Sequence, residues 1–337
     1  MTNVSFQIPL LELPERGIKR VLQQMEFYGL LSFSYISRQA RNAVATLEHL
    51  HPDRIVIEIS GSITINCLRK ENGSLRRTTF MIFKKPCGIT PDTAVLPIPA
   101  LVEVFEGFAN RGTSFPNSNK DFGLKQYLEH ILGIFKCKDI QVFFNTPIVQ
   151  IRRDRVRRDV FPVEPLYEAF ENVNIGSLLI KTRLSEQLIK RFLPRTDVYE
   201  IVCDHPFSKP FFRKILIQNL TKLDVCKVPA QFALKLDDLL MTNCSHVMIK
   251  ARFNEKELNT FFRCWQSGSN PRLKYVNIRF ITPRQLDRAM TLKGTEFQQR
   301  TRSSNLKTVY GIQRVGGINA EINIRRDNHG ISMYVID

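Results

Sequence analysis

The run Phe253-Asn254-Glu255-Lys256-Glu257-Leu258-Asn259-Thr260-Phe261-Phe262-Arg263-Cys264-Trp265-Gln266-Ser267-Gly268-Ser269-Asn270-Pro271-Arg272-Leu273-Lys274-Tyr275-Val276-Asn277-Ile278-Arg279-Phe280 carries the sharpest signal in the chain. Asn254 is a good N-cap, since its side-chain oxygen can accept from a free N–H of a first helical turn. Glu257, three residues on, completes a capping-box pair. Leu258, Phe261, Phe262 and Trp265 then repeat at the spacing of one helical face. Gly268 to Pro271 breaks the helix, and Leu273 to Phe280 reads as a strand. Trp265 sits on the apolar stripe, so it is read as core rather than as a platform for a ligand.

Outward from this run the same alternation recurs. Leu124, Tyr127, Leu128, Ile131, Leu132 and Phe135 form one helical face, and Ile140 to Phe144 is an apolar strand. A helix is expected near Pro165 to Phe170 and another over Ser185 to Phe192. Strands are expected at Leu178 to Ile180, Val198 to Val202, Ile215 to Ile217, Val247 to Ile249 and Tyr275 to Ile278. Most strand centres lie about 20–38 residues apart, the range of a leucine-rich-repeat unit, loosened. A strict L-x-x-L-x-L consensus is absent, so the repeat is degenerate. The strands would line a curved sheet and the helices its outer wall. An α/β sandwich without repeat geometry is the other reading.

Before this part comes a different texture. Ile55, Ile57 and Ile59 alternate, as do Ile63, Ile65 and Cys67, and Asn72-Gly73 is a strong hairpin turn. With a third strand near Thr78 to Phe83, this reads as a β-meander. Pro86 to Pro99 is a connector, Leu101 to Phe108 a short helix, and Asn110 to Lys120 an exposed loop. The first fifty residues read as compact helices. Ile18, Val21, Leu22 and Met25 follow one helical stripe, and Ile36, Ala40, Val44 and Leu47 another.

The chain of 337 residues carries a net charge of +17. Residues 1–50 contribute only +1, leaving +16 for the remainder. That balance favours an anionic partner for the larger part. Arg152, Arg153, Arg155, Arg157 and Arg158 form the densest basic cluster; a solvated loop is favoured over a phosphate grip, because no aromatic RNA-binding signature accompanies it. Nucleic acid is therefore the less favoured partner. The seven cysteines are dispersed, which fits a reducing compartment, cytoplasmic or nuclear. Cys203-x-His205 and Cys244-x-His246 offer a metal two ligands each, fewer than a structural zinc needs, so no metal and no cofactor are expected. No apolar run reaches membrane-span length, and Met1 to Leu13 lacks the pattern of a signal peptide.

Two separated stretches carry a resemblance. Pro9-Leu10-Leu11-Glu12-Leu13-Pro14, the Ile18/Val21/Leu22/Met25 stripe, Leu30, Ser34 and Ser37-Arg38-x-x-Arg41 resemble an F-box. Leu236-Asp237-Asp238-Leu239-Leu240, Asn243-Cys244 and Glu257-Leu258-Asn259 through Trp265 to Leu273 are similar to the type 2 F-box-associated domain of the nematode-type F-box family. Gly316-Gly317 and Ile324-Arg325-Arg326-Asp327 resemble that family's ending. Gly29 departs from the pattern, standing where many F-boxes have an acidic residue.

The resemblance implies a non-catalytic adaptor: an F-box over 1–50, a meander and connector over 51–120, and an F-box-associated, repeat-like α/β domain over 121–337. The F-box would dock on a Skp-type linker protein, and through it a cullin, by way of Leu10, Leu13, Pro14, Ile18, Leu22, Leu30, Leu31 and Val44. Some of these would only hold the helices to each other. The rest of the chain would present a protein target for ubiquitin transfer by other subunits. Lys181, Arg183, Lys250, Arg252 and Arg279 recur after apolar strand centres, which points to an acidic target surface; solvated strand ends are the plainer reading. No phosphate loop, dinucleotide fingerprint, nucleophile elbow or H-E-x-x-H occurs, so no enzyme is expected. The alternative function is a basic repeat-like module binding nucleic acid or protein with no ligase role.

Overall fold

A computed structural model describes residues 10–25, 27–47, 51–71, 73–84, 96, 99, 101–106, 112–116, 122–145, 161–181, 186–201, 208–227, 233–302, 307–324 and 330–336. The chain forms two units, one of residues 1–141 and 160–174, the other of residues 142–159 and 175–337.

The first unit opens with α1 (Glu15–Gln23), α2 (Phe27–Ser34) and α3 (Arg38–Ala45). Pro14 leads into α1, and the Ser37 hydroxyl caps α3 by accepting from the Ala40 N–H at 3.0 Å. Leu22, Leu30, Leu31, Ala40 and Val44 are buried. Five strands follow as an antiparallel meander, each paired with the next: β1 (Arg54–Ile59), β2 (Ser62–Glu71), β3 (Ser74–Lys84), β4 (Leu101–Glu106) and β5 (Gly112–Pro116). Gly73, at φ 79°, turns β2 into β3 where the hairpin was expected. Two expectations fail here. Leu101 to Phe108 begins as strand β4 and not as a helix, because its β-branched residues alternate with period two and Val104 is buried against the meander. Asn110 to Lys120 contains β5, whose backbone pairs with β4. Then come α4 (Leu124–Phe135), β6 (Ile140–Phe144), within which the chain passes to the second unit, and α5 (Val163–Ala169).

The second unit alternates strand and helix: β7 (Ile175–Ile180), α6 (Glu186–Phe192), β8 (Thr196–Ile201), α7 (Lys209–Leu216), β9 (Lys222–Asp224), α8 (Leu236–Leu240), β10 (His246–Ala251), α9 (Glu255–Gln266) and β11 (Tyr275–Phe280). From β7 to β11 every strand lies parallel to the next in chain order. The expected strand at Ile215 to Ile217 is instead the end of α7, and the strand comes later as β9. A short apolar run does not distinguish helix from strand by itself; Phe211, Ile215 and Leu216 bury one helical face. After α10 (Arg288–Thr291) the alternation stops. β12 (Phe297–Arg302), β13 (Lys307–Gln313), β14 (Asn319–Ile324) and β15 (Gly330–Ile336) form an antiparallel run, and β15 lies antiparallel beside β11.

One face of this sheet is apolar. Leu178, Tyr199, Leu223, Val247, Ile249, Ile278 and Met333 are fully buried, as are Leu258, Phe261 and Trp265 of α9. Gly330 decides how closely β15 approaches β11. A Cβ added there would lie 2.4 Å from the Ile278 carbonyl oxygen, so only a residue without a side chain fits opposite Arg279. Gly330→Ala is expected to destabilise the unit by about 1–3 kcal/mol through overpacking, and Trp265→Ala by about 3–5 kcal/mol through the cavity it leaves. Urea denaturation read by circular dichroism measures both.

Candidate functional site

The helical segment divides its expected docking residues sharply. Leu22, Leu30, Leu31 and Val44 are buried within the unit, at 0–3% exposure. Leu10, Leu13 and Ile18 are half-buried, and Pro14 is exposed. Two apolar side chains missing from the expected set are the open ones: Val21 is 42% exposed and Ile36 71%. Their signal was already in the two apolar stripes, but the sequence does not show which member of a stripe faces outward.

Ser34, Tyr35 and Arg41 of the F-box-like segment turn inward, onto α4, while Ser37 caps α3 and Arg38 is exposed. Ser34 gives its hydroxyl hydrogen to the Leu31 carbonyl at 2.6 Å, and its oxygen meets His130 Nε2 at 2.8 Å. With the one hydroxyl hydrogen so placed, the imidazole must donate from Nε2. The Tyr35 ring stacks on His130 at 4.0 Å, and Phe122 and Tyr127 close on Tyr35 edge-on at 5.5 and 5.8 Å. Arg41 Nη2 donates to the Glu129 carbonyl at 2.8 Å. A side chain at Gly133 would run into that guanidinium. Burial, and then the Arg41 charge, lower the His130 pKa to about 4. Burial pushes the Tyr35 hydroxyl well above its ordinary value.

The second motif also proves structural. Asn254 and Glu257 form the expected reciprocal cap, at 2.9 and 2.8 Å. Trp265 is 0% exposed, and the Arg314 guanidinium lies over its ring at 5.7 Å. Gly268 takes φ 108°, and its carbonyl accepts from Arg314. Asn270, at φ 50°, points its amide nitrogen at the carbonyls of Leu239, Leu240 and Thr242, at 3.2, 3.2 and 2.8 Å. Those are the free carbonyls at the end of α8, which water cannot reach. Within the Leu236 to Leu240 segment, Asp238 is buried. It accepts from the Lys235 N–H at 3.1 Å and from Arg213 Nε at 3.1 Å.

The remaining surface is the sheet face opposite the apolar one. Register sets its side chains in rows. One row runs Lys222, His246, Tyr275, Tyr334, Glu321, Gly311 and Gln298 across β9, β10, β11, β15, β14, β13 and β12. The rings of Tyr275 and Tyr334 are 4.6 Å apart, and His246 lies 6.2 Å from Tyr275. Burial, with a hydrogen bond to Tyr334, raises the Tyr275 pKa to about 12. The next row contains Asp224, Met248, Asn277, Ser332 and Asn323. The side-chain oxygens of Asn277 and Asn323 are buried with no hydrogen-bond partner, a state that costs about 1–3 kcal/mol per group. Gly311 leaves a hollow of about 410 Å³ lined by Gln298, Gln313, Asn319, Glu321 and Ile336.

Of the expected target-binding residues, Lys250 and Arg279 stand side by side on this face, on β10 and β11. Lys250 is half-buried, and Arg279, Lys181 and Arg252 are exposed. The Lys181 ammonium lies 4.6 Å over the Phe143 ring. Arg183 and the cluster from Arg152 to Arg158 lie outside the described residues, as do Cys203 and His205. The Cys244 thiol is buried, which pushes its pKa up to about 12. Among the described residues no group of three or more His, Cys, Asp or Glu side chains comes together as metal ligands. No described helix is long and apolar enough to cross a membrane. The tyrosine pair and the two asparagines were missed in the sequence; their only signal was alternation within strands whose neighbours were unknown.

Residues 211–278, from α7 through β11, match the family model described as F-box associated. The chain is also 39% identical over 283 residues to the F-box associated domain-containing protein sdz-33 of Caenorhabditis elegans, covering 83% of this chain and 80% of that protein. The chain belongs to the F-box-associated domain family. No solved structure matches it. The part that matches the family model holds the Asp238, Trp265 and Asn270 interactions, so its signature residues maintain the F-box-associated fold. The open face is built on that fold, from strands reaching beyond the matched residues.

Asn270→Ala is expected to lower stability by about 2–4 kcal/mol, since it strands buried carbonyls and replaces a residue that tolerates positive φ with one that does not. Asn270→Gly incurs only the first penalty and should lie closer to wild type on a chemical melt. His130 gives a pH signature. Its folded pKa, near 4, is below the ordinary 6.5 or so of an unfolded chain. Between those values the unfolded state binds the extra proton. Stability is therefore complete above about pH 6.5 and falls as the pH drops towards 4. Thermal melts across that window should show the loss in the wild type and a shallower slope in His130→Gln.

Proposed function

We propose that this F-box-associated chain is a substrate-recruiting adaptor of a Skp–cullin–F-box ubiquitin ligase, with no catalytic step of its own. Its first helices are the F-box, and they dock on a Skp-type linker protein. The parallel run from β7 to β11 serves as a loosened, leucine-rich-repeat-like curved sheet that holds the protein target. Such an assembly works in the reducing cytoplasm or nucleus, in keeping with the free cysteines. The observation that carries the reading is the coexistence, in one chain, of the family's associated domain and a three-helix segment that leaves Val21 and Ile36 in solvent. Burying these exposed apolar side chains in a partner would be favourable.

The docking contact is expected to centre on Val21, Ile36, Ile18 and Leu13, with Pro14 at its edge. Leu22, Leu30, Leu31 and Val44 support it from inside. Val21→Asp with Ile36→Asp should abolish binding to a Skp-type linker protein while leaving the melting temperature within about a degree, because both positions are exposed and an unpaired charge is excluded from an apolar interface. Leu22→Asp should unfold the helices. Isothermal titration of the full chain against the linker reads the first result; wild-type affinity in the double variant would overturn the adaptor reading.

A further inference from the structure

The rows on the open face bring together features that no single strand displays. Lys250 and Arg279 are directly adjacent across β10 and β11. Like charges so placed repel each other, and neither has an ion pair among the described residues. Nearby acids are engaged: Glu200 bridges Lys227 at 3.0 Å, and Asp224 Oδ1 accepts from the Cys226 N–H at 3.0 Å. One row away, Asn277, which is 8% exposed and hydrogen-bonds the Tyr275 side chain, Ser332 and Asn323 follow in register. Beyond them the Tyr275–Tyr334 pair forms a ledge, with Tyr334 48% exposed.

We infer that this face, around β10, β11 and β15, binds an acidic segment of a protein target, with a carboxylate on Lys250 and Arg279 and an apolar or aromatic side chain on the tyrosine ledge. The charge relief explains the adjacent cations. The inference rests on the adaptor reading for the word target; the site itself stands on the face alone.

The test uses the full chain and fluorescein-labelled synthetic peptides, read by fluorescence anisotropy. The probes are a short peptide of glutamate and tyrosine, its lysine–tyrosine counterpart, and a single-stranded oligouridylate. The acidic peptide should bind, and the lysine peptide should not. Lys250→Glu with Arg279→Glu should weaken binding at least tenfold, more at low salt than at high salt. Absence of binding to the acidic peptide, equal binding of the lysine peptide, or indifference to the charge reversal overturns the proposal. Tighter binding of the oligouridylate, lost on charge reversal, also overturns it and makes the face a nucleic-acid surface. The same variants are titrated with the Skp-type linker. Linker binding retained while the peptide fails removes this site alone; peptide binding retained while the linker fails removes the adaptor reading alone.

Discussion

The amide group of Asn270 closes the end of α8 from across the fold. Three carbonyls at the end of a short helix converge on one nitrogen, in a place where solvent cannot replace it. To deliver that nitrogen the backbone takes a left-handed turn at Asn270, and Gly268 takes another just before it. The same turn ends α9, exposes the Gly268 carbonyl to Arg314, and starts β11 on its path beside β10. Trp265 fills the space beneath, under the Arg314 guanidinium. Helix α8, helix α9, strand β11 and the β13–β14 hairpin are therefore tied at one point. Loss of that point would free all four.

A comparable economy appears in the first unit. Ser34, Tyr35 and Arg41 belong to the F-box-like segment, yet their polar atoms and rings serve α4. Ser34 and Arg41 find their partners within the unit, whereas the buried Tyr35 hydroxyl has none among the described residues; Val21 and Ile36 are open to solvent, Val21 among the exposed charges of α1. The polar contacts fix these helices against α4.

On the open sheet face two cations, Lys250 and Arg279, stand side by side and repel each other, which lowers the stability of the isolated chain. Buried polar atoms without a partner among the described residues occur on this face, at Asn277 and Asn323, and equally in the core, at Trp265 Nε1 and Asn270 Oδ1; they are a cost of close packing and do not set the face apart.

Much of this was legible in the residues. The capping box at Asn254 and Glu257, the buried stripe ending at Trp265, the Asn72-Gly73 turn and the strands β1, β2, β7, β8, β10 and β11 follow from local periodicity and turn chemistry, which act over a few residues and need no knowledge of neighbours. Where local pattern was ambiguous, as at Leu101 to Glu106 and Ile215 to Leu216, packing chose between helix and strand. The antiparallel run from β12 to β15 was not read from the sequence although β14 alternates buried and less buried residues; pairing of β15 with β11, close at Gly330, gives the run its place. The rows of the open face belong wholly to tertiary structure: Tyr275 and Tyr334, or Asn277 and Asn323, are far apart in sequence, and only the hydrogen-bonded register of β11, β15 and β14 makes them neighbours.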